Sequence, residues 1–217
     1  VIISHRHRFV YVKTRKTAST SLEIALSRFC GPEDVITTIV AKDEAVRTRL
    51  GYPGPQNETA RDRTGRTFEL MNHTPATVAR DLLGDRWNEY CTFTIERNPF
   101  DRIISQYWWE VAALADPPPI GDFLRASRVE VLSNWHLYAE GDRPVVDFIG
   151  RYESLDESLP RIAERIGLPG PIVLPEQKTK SEYRKDRRHW REVLSADDRR
   201  LIETVCRREL DAFGYAW

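Results

Sequence analysis

Residues Phe9–Lys13 (FVYVK) form an apolar run of β character. It passes straight into a loop crowded with cations and hydroxyls, Thr14-Arg15-Lys16-Thr17-Ala18-Ser19-Thr20-Ser21. A helix must follow at once, because Leu22, Ala25, Leu26 and Phe29 recur at helical spacing from Thr20 until Gly31-Pro32 stops it. A strand that ends in a polar loop at the start of a helix is the repeating unit of layered α/β folds. The chain repeats it. Tyr90–Ile95 (YCTFTI) reads as a strand, and Asn98-Pro99 then caps a helix running to about Ala115, where Asp116-Pro117-Pro118-Pro119 ends it. Val145–Tyr152 (VVDFIGRY) reads as a third strand, followed by a helix over Leu155–Ile166 that closes at Gly167.

Other segments fill in around these units. Thr74-Pro75 opens a helix through about Leu83, and Asp122–Arg128 and Val131–Tyr138 are short helical candidates. Ser195, with Asp197 and Asp198 behind it, starts a helix to about Leu210. Residues 41–68 are polar and punctuated by Gly51, Pro53, Gly54, Pro55 and Asn57, which reads as loop, and residues 168–190 read as a loop that turns basic. The expectation is an α/β chain, one domain over residues 1–217, with a central, mainly parallel sheet flanked by helices. Ligands in such sheets sit beyond the carboxyl ends of the strands.

Both polar segments at those ends suit anions. Small residues in the first loop let backbone N–H groups approach an anion, and the helix behind adds its N-terminal partial charge. Lys16 supplies a point charge, and Thr17, Ser19, Thr20 and Ser21 supply hydroxyls. This is the physics of a nucleotide P-loop without its sequence. There is no GxxxxGK[ST], and no glycine stands between Val1 and Cys30. After the second strand, Arg97 offers a fork-shaped guanidinium for a phosphate dianion. Ser105 adds a hydroxyl, with Arg102 near the same helix face, and Asp101 suits a salt bridge.

Bulk properties limit the partners. Thirty-three Lys and Arg balance 33 Asp and Glu, so no broad basic face for a long nucleic acid is expected, and any anion site is local. Cys30, Cys91 and Cys206 are odd in number and widely spaced, which supports neither a disulfide frame nor a cysteine metal site. No stretch reaches the roughly 18 apolar residues of a membrane helix, and the first residues lack signal-peptide character, so a cytoplasmic protein without a membrane span is expected.

The motifs resemble those of the carbohydrate-type sulfotransferases, including the heparan sulfate 2-O type, in a soluble, bacterial-type form. Their donor is 3'-phosphoadenosine 5'-phosphosulfate. The family's Lys-Thr-Ala-Gly/Ser-Thr-Ser loop, which grips the 5'-phosphosulfate, stands here as Lys16-Thr17-Ala18-Ser19-Thr20-Ser21. Its 3'-phosphate motif stands as Arg97-Asn98-Pro99-Phe100-Asp101-Arg102 with Ser105. Gly150-Arg151-Tyr152-Glu153, the basic Lys178-Thr179-Lys180-Ser181 and the terminal Phe213-Gly214-Tyr215 are also similar. Arg15 departs from the pattern, which usually has proline there.

The resemblance implies a P-loop-like sulfotransferase fold. Residues 15–21 would hold the 5' side of the donor, Arg97 and Ser105 its 3'-phosphate, and Lys178, Thr179 and Lys180 would lie over the nucleotide. Lys16 would stabilise the leaving oxygen, and no metal is required. The acceptor hydroxyl, on a glycan or a small molecule, needs a base titrating near neutrality, which suits histidine. His73, in Met71-Asn72-His73-Thr74-Pro75, lies between the two motifs as the family's base does, with His136 in reserve. His5 and His7 are expected beside the first strand and His189 in solvent. Three readings compete with this one: a small-alcohol sulfotransferase, a kinase-like phosphotransferase, and a nucleotide- or polyanion-binding module without catalysis. Gly-rich and Mg²⁺-ligating motifs for the kinase are not evident in the sequence.

Overall fold

A computed structural model describes residues 1–176 and 183–217. Two strands, β1 (Ile2–Ser4) and β2 (Phe9–Tyr11), form a hairpin, and β2 leads through the polar loop into α1 (Ser19–Ser27). β3 (Val35–Ile36) follows, then α2 (Ala41–Arg49), the hairpin β4 (Thr59–Arg61) and β5 (Thr67–Glu69), and α3 (Ala76–Leu83). Next come β6 (Cys91–Glu96) and α4 (Pro99–Glu110). The short helices α5 (Ile120–Ala126), α6 (Val129–Leu132) and α7 (Trp135–Tyr138) lead to a small hairpin of β7 (Ala139–Glu140) and β8 (Arg143–Pro144). β9 (Phe148–Arg151), α8 (Leu155–Arg165), α9 (Trp190–Val193), α10 (Ala196–Val205) and α11 (Arg207–Phe213) complete the described order.

The central sheet has five strands in the order β3-β1-β2-β6-β9. The half that carries the anion motifs is parallel, with Tyr11 opposite Phe93 and Ile95 opposite Gly150. The other half is antiparallel, because β1 turns directly into β2 and pairs with β3 on its far side. The sheet is therefore mixed rather than mainly parallel. The N-terminal residues VIIS are too short a run to announce a strand, and hairpin pairing with Phe9–Tyr11 makes them one.

Apolar side chains cover both faces. Phe9, Tyr11, Leu22, Leu26, Phe93, Ile95, Leu159 and Ile162 pack on one side, and Val10, Val12, Ala79, Leu82, Trp135 and Tyr138 on the other. A third cluster joins α4 to the C-terminal helices through Phe100, Ile103, Trp190, Ile202 and Leu210, with Trp217 packed against it.

Several element bounds differ from the sequence reading for local reasons. The polar segment 41–68 is not plain loop. It holds α2, with Asp43 and Glu44 in its first turn and Arg47 and Arg49 in its last, as the helix dipole favours. It also holds the first strand of a hairpin pinned by Asp62, whose carboxylate accepts from the N–H groups of Thr64 and Arg66. α4 ends at Glu110, several residues before the prolines. The terminal helix breaks at Cys206 into α10 and α11, while its start carries the reciprocal Ser195–Asp198 capping box. The expected helix over 131–138 is two short helices separated by Ser133-Asn134.

Gly150 on β9 faces α8 at close range. A Cβ there would stand 2.6 Å from Ile95 Cδ1 and 3.1 Å from Ser158 Cβ. Gly150→Ala is expected to destabilise the protein by ~1–3 kcal/mol, the cost of overpacking, read as a lower urea midpoint with unchanged slope. Among the described residues no helix is long and apolar enough to cross a membrane.

Candidate active site

A cleft of about 920 Å³ opens at the carboxyl ends of β2 and β6. Arg15, Lys16, Ala18, Ser19, Thr20 and Ser21 line it from the first motif, Arg97 and Ser105 from the second, and His73 from the segment before α3. Residues far apart in sequence thus share one wall, because parallel pairing sets Phe9–Tyr11 level with Cys91–Phe93.

The first loop achieves its close approach without glycine. Lys16 and Ala18 both adopt left-handed conformations, with φ of 61° and 58°. Such alternation turns successive N–H groups towards one point, which makes an anion-binding concavity. Ala18 is the N-cap of α1 and makes no side-chain capping bond, so the positive end of the helix dipole meets the loop. Thr17 departs from the expected role. It is fully buried and does not line the cleft, and its hydroxyl lies 2.8 Å from Thr14 Oγ1. Thr14 in turn donates to the Ile95 carbonyl at 2.5 Å, so this hydroxyl pair ties the loop to β6.

In the second motif Asn98 caps α4 by accepting from the Phe100 N–H at 3.0 Å. Arg97 is held on several sides. Nε donates to Asp101 Oδ2 at 2.9 Å, and Nη2 reaches the same oxygen. Nη1 donates to the Lys16 carbonyl at 2.9 Å, which joins the two motifs directly. The guanidinium lies 4.2 Å from the Tyr152 ring centroid, in cation–π range. Arg184 also bonds Asp101, at 2.5 Å. Although burial works against it, the Arg97 and Arg184 cations hold the Asp101 carboxyl below its usual range. Arg184 and Arg187 line the cleft, so the basic end of the loop before α9 belongs in part to its wall. Arg102 is not beside Ser105 in the cleft. It is fully buried, 3.8 Å from Glu96 and bonded to the Leu132 carbonyl.

Lys13 fixes His73 directly and holds its neighbour Asn72. Lys13 Nζ donates to Asn72 Oδ1 at 2.6 Å, and the Lys13 carbonyl lies 2.9 Å from His73 Nδ1. A carbonyl only accepts, so Nδ1 carries the proton and Nε2 keeps a lone pair. Lys13 itself is buried against Glu23 on α1 at 2.6 Å. Burial pushes the His73 ring down to about 3, well below the near-neutral titration expected of the base. The Lys13 hydrogen bond opposes this shift, while the Lys13 and Arg15 charges add to it. His136 lies apart from this arrangement, half-buried with Nε2 3.4 Å from Arg15 Nη1, and it does not line the cleft. His5 and His7 lie in the turn between β1 and β2, as expected, and His189 caps α9 in an exposed position.

Trp109 is 37% exposed at the cleft and lies under Lys16, whose Nζ is 5.8 Å from the ring. Buried Gln106 donates to Glu110 Oε1 at 2.7 Å beside it. Glu96, at the end of β6, is fully buried, and burial pushes it up to about 7 against the pull of Arg102. Lys178, Thr179 and Lys180 lie outside the described residues. Tyr152, Arg184 and Arg187 were missed as site residues. Tyr152 was signalled only as part of the family-like Gly150-Arg151-Tyr152-Glu153 at a strand end, and its partner becomes visible only once β9 pairs with β6.

The cleft gathers the two cationic motifs and a histidine at the strand ends of an α/β fold. The sulfotransferase family matches residues 1–112, just over half of the chain, a stretch that contains the first loop, His73 and the whole of α4. The chain belongs to the sulfotransferase family. It is also similar to an uncharacterized protein of Archaeoglobus fulgidus, at 29% identity over 100 residues, which is 44% of this chain and 83% of that one.

Proposed function

We propose that residues 1–217 act as one sulfotransferase domain that moves a sulfuryl group from 3'-phosphoadenosine 5'-phosphosulfate to an acceptor hydroxyl, with His73 as the base. The observation that carries this reading is the single cleft. It brings the glycine-free anion loop, Arg97 with Ser105, and a histidine with a free Nε2 lone pair to one wall. The loop amides and the hydroxyls of Ser19, Thr20 and Ser21 hold the 5' end, and Arg97 and Ser105 the 3'-phosphate. His73 Nε2 takes the acceptor proton as the acceptor oxygen attacks sulfur in line. The bond from sulfur to the bridging phosphate oxygen breaks, and Lys16 stabilises the charge left on that oxygen. The products are a sulfate ester and 3'-phosphoadenosine 5'-phosphate.

A carbohydrate acceptor fits the exposed Trp109 ring, an aromatic face with hydrogen-bonding Gln106 and Glu110 alongside. Incubation with labelled donor and a panel of neutral glycans, anionic glycans and simple alcohols tests both parts. Transfer of label to any hydroxyl supports the reaction, a glycan preference supports the acceptor class, and no transfer to any member rejects the reading.

Arg97→Ala is expected to raise KM for the donor by about 10- to 100-fold, the loss of charge-assisted hydrogen bonds to a phosphate. Arg97→Lys should recover only part of it, since an ammonium cannot reproduce the fork or the stack on Tyr152. Initial rates against donor concentration check this, and an unchanged KM in both variants would reject Arg97 as a donor contact.

A further inference from the structure

Two residues without glycine's freedom, Lys16 and Ala18, hold positive φ in the donor loop. Such conformations persist only when the surroundings over-determine them. Thr14–Thr17 forms a turn with Arg15 second and Lys16 third, and Lys16 carries the positive φ. At the second position of such turns proline is favoured, because its ring fixes φ and it presents no N–H in need of a partner. Arg15 has neither property.

The missing constraint comes from elsewhere in the chain. Asn134, fully buried between α6 and α7, accepts from the Arg15 N–H through Oδ1 at 3.0 Å and donates to the Arg15 carbonyl through Nδ2 at 3.1 Å. Its Nδ2 also donates to Glu96 Oε1 at 3.3 Å. The same Glu96 oxygen accepts from the Arg97 N–H at 2.8 Å. The amide orientation is unambiguous, since the Arg15 N–H only donates and the Arg15 carbonyl only accepts. Asn134 is itself pinned, because Glu209 Oε1 accepts from its N–H at 3.1 Å, from Ser133 Oγ at 2.5 Å and from the Trp135 N–H at 3.3 Å.

We propose that Asn134 is a positioning residue for sulfuryl transfer. It clamps the Arg15 peptide and, through Glu96, locks the loop for the donor's 5' end to the strand end for its 3'-phosphate. This rests on the donor reading above. The clamp holds the backbone without touching the reacting atoms, and it lets the Arg15 guanidinium line the cleft, where a proline would present no cation.

Amide hydrogen exchange on the nucleotide-free protein, calorimetric binding of 3'-phosphoadenosine 5'-phosphate, and thermal melting test it together. Asn134→Ala should speed exchange at Arg15–Ala18 while the amides of β2 and β6 keep their protection, and weaken nucleotide binding by about 10- to 100-fold. Asn134→Ser keeps a short hydroxyl without adding a charge beside Glu96. It should fall between wild type and Asn134→Ala, and it carries the test if the alanine variant does not fold. In an Arg15→Pro background, where residue 15 has no N–H, replacing Asn134 should cost clearly less than in the wild type. Unchanged loop exchange and binding in the Asn134 variants would overturn the proposal. So would protection lost equally across β2, β6 and the loop, or fully additive effects with Arg15→Pro. A wild-type protein that binds no nucleotide would instead reject the donor reading, and the exchange arm would still decide the clamp.

Discussion

His73→Ala is expected to lower kcat by about 10²–10⁴-fold, the usual contribution of a positioned general base, with little change in affinity for 3'-phosphoadenosine 5'-phosphate. The two effects separate because His73 lines the cleft from the segment before α3, whereas the proposed donor contacts come from the β2–α1 loop and from Arg97. The pH dependence gives a sharper form of the same test. In the free protein, burial holds the ring at about 3, with Lys13 and Arg15 adding to the shift, so Nε2 is unprotonated across the whole neutral range. The acid limb of kcat/KM reports the free enzyme and should therefore show no His73 step near neutrality. A polyanionic donor beside Lys16 and Arg15 offsets those cations and favours the imidazolium, so the acid limb of kcat should lie at higher pH than that of kcat/KM. A variant at position 73 that keeps the wild-type rate, or identical acid limbs in the two profiles, would remove His73 from the mechanism.

The same shift fixes a stability trend. Folded His73 binds its proton less readily than the unfolded chain, whose value is near 6.5. Between about 6.5 and 3 the unfolded state holds the extra proton, so stability falls as pH falls, by up to ~1.4 kcal/mol per pH unit from this group. Above 6.5 its contribution is complete.

Replacing Lys16 by alanine should cost about 10²–10³-fold in kcat, the scale of one group aimed at charge that develops in the transition state. Donor KM should change less than kcat, because the loop amides and the first turn of α1 still bind the 5' end. Lys16→Arg should restore charge but not rate, since the broader guanidinium does not reproduce a compact ammonium at the bridging oxygen. The Lys16 ammonium lies 5.8 Å from the Trp109 ring at the cleft. Steady-state kinetics on the three proteins decide the point. A uniform rise in KM with unchanged kcat would reduce Lys16 to a binding residue.

Much of this site was legible in the chain because its parts are local. A β run, a small-residue loop with a lysine, and a helix are contiguous, and so are Asn98, Pro99 and the helix they begin, so spacing and residue type sufficed. The strand of residues 2–4 and the antiparallel half of the sheet were not legible, since three residues carry no periodicity and acquire strand character only by pairing. Thr17 looked like another hydroxyl for the anion, and a left-handed turn points it instead at Thr14.

Sequence alone determined that two cationic loops would stand between a strand end and a helix, because strand, loop and helix propensities act over a few neighbouring residues. Tertiary structure decided what surrounds them: Tyr152 over Arg97, Asp101 shared with Arg184, Lys13 aiming His73, and Asn134 gripping Arg15 across 119 positions of chain. Those contacts come from parallel pairing and from the burial of polar groups that must find partners wherever the fold brings them, and neither leaves a periodic trace in the order of residues.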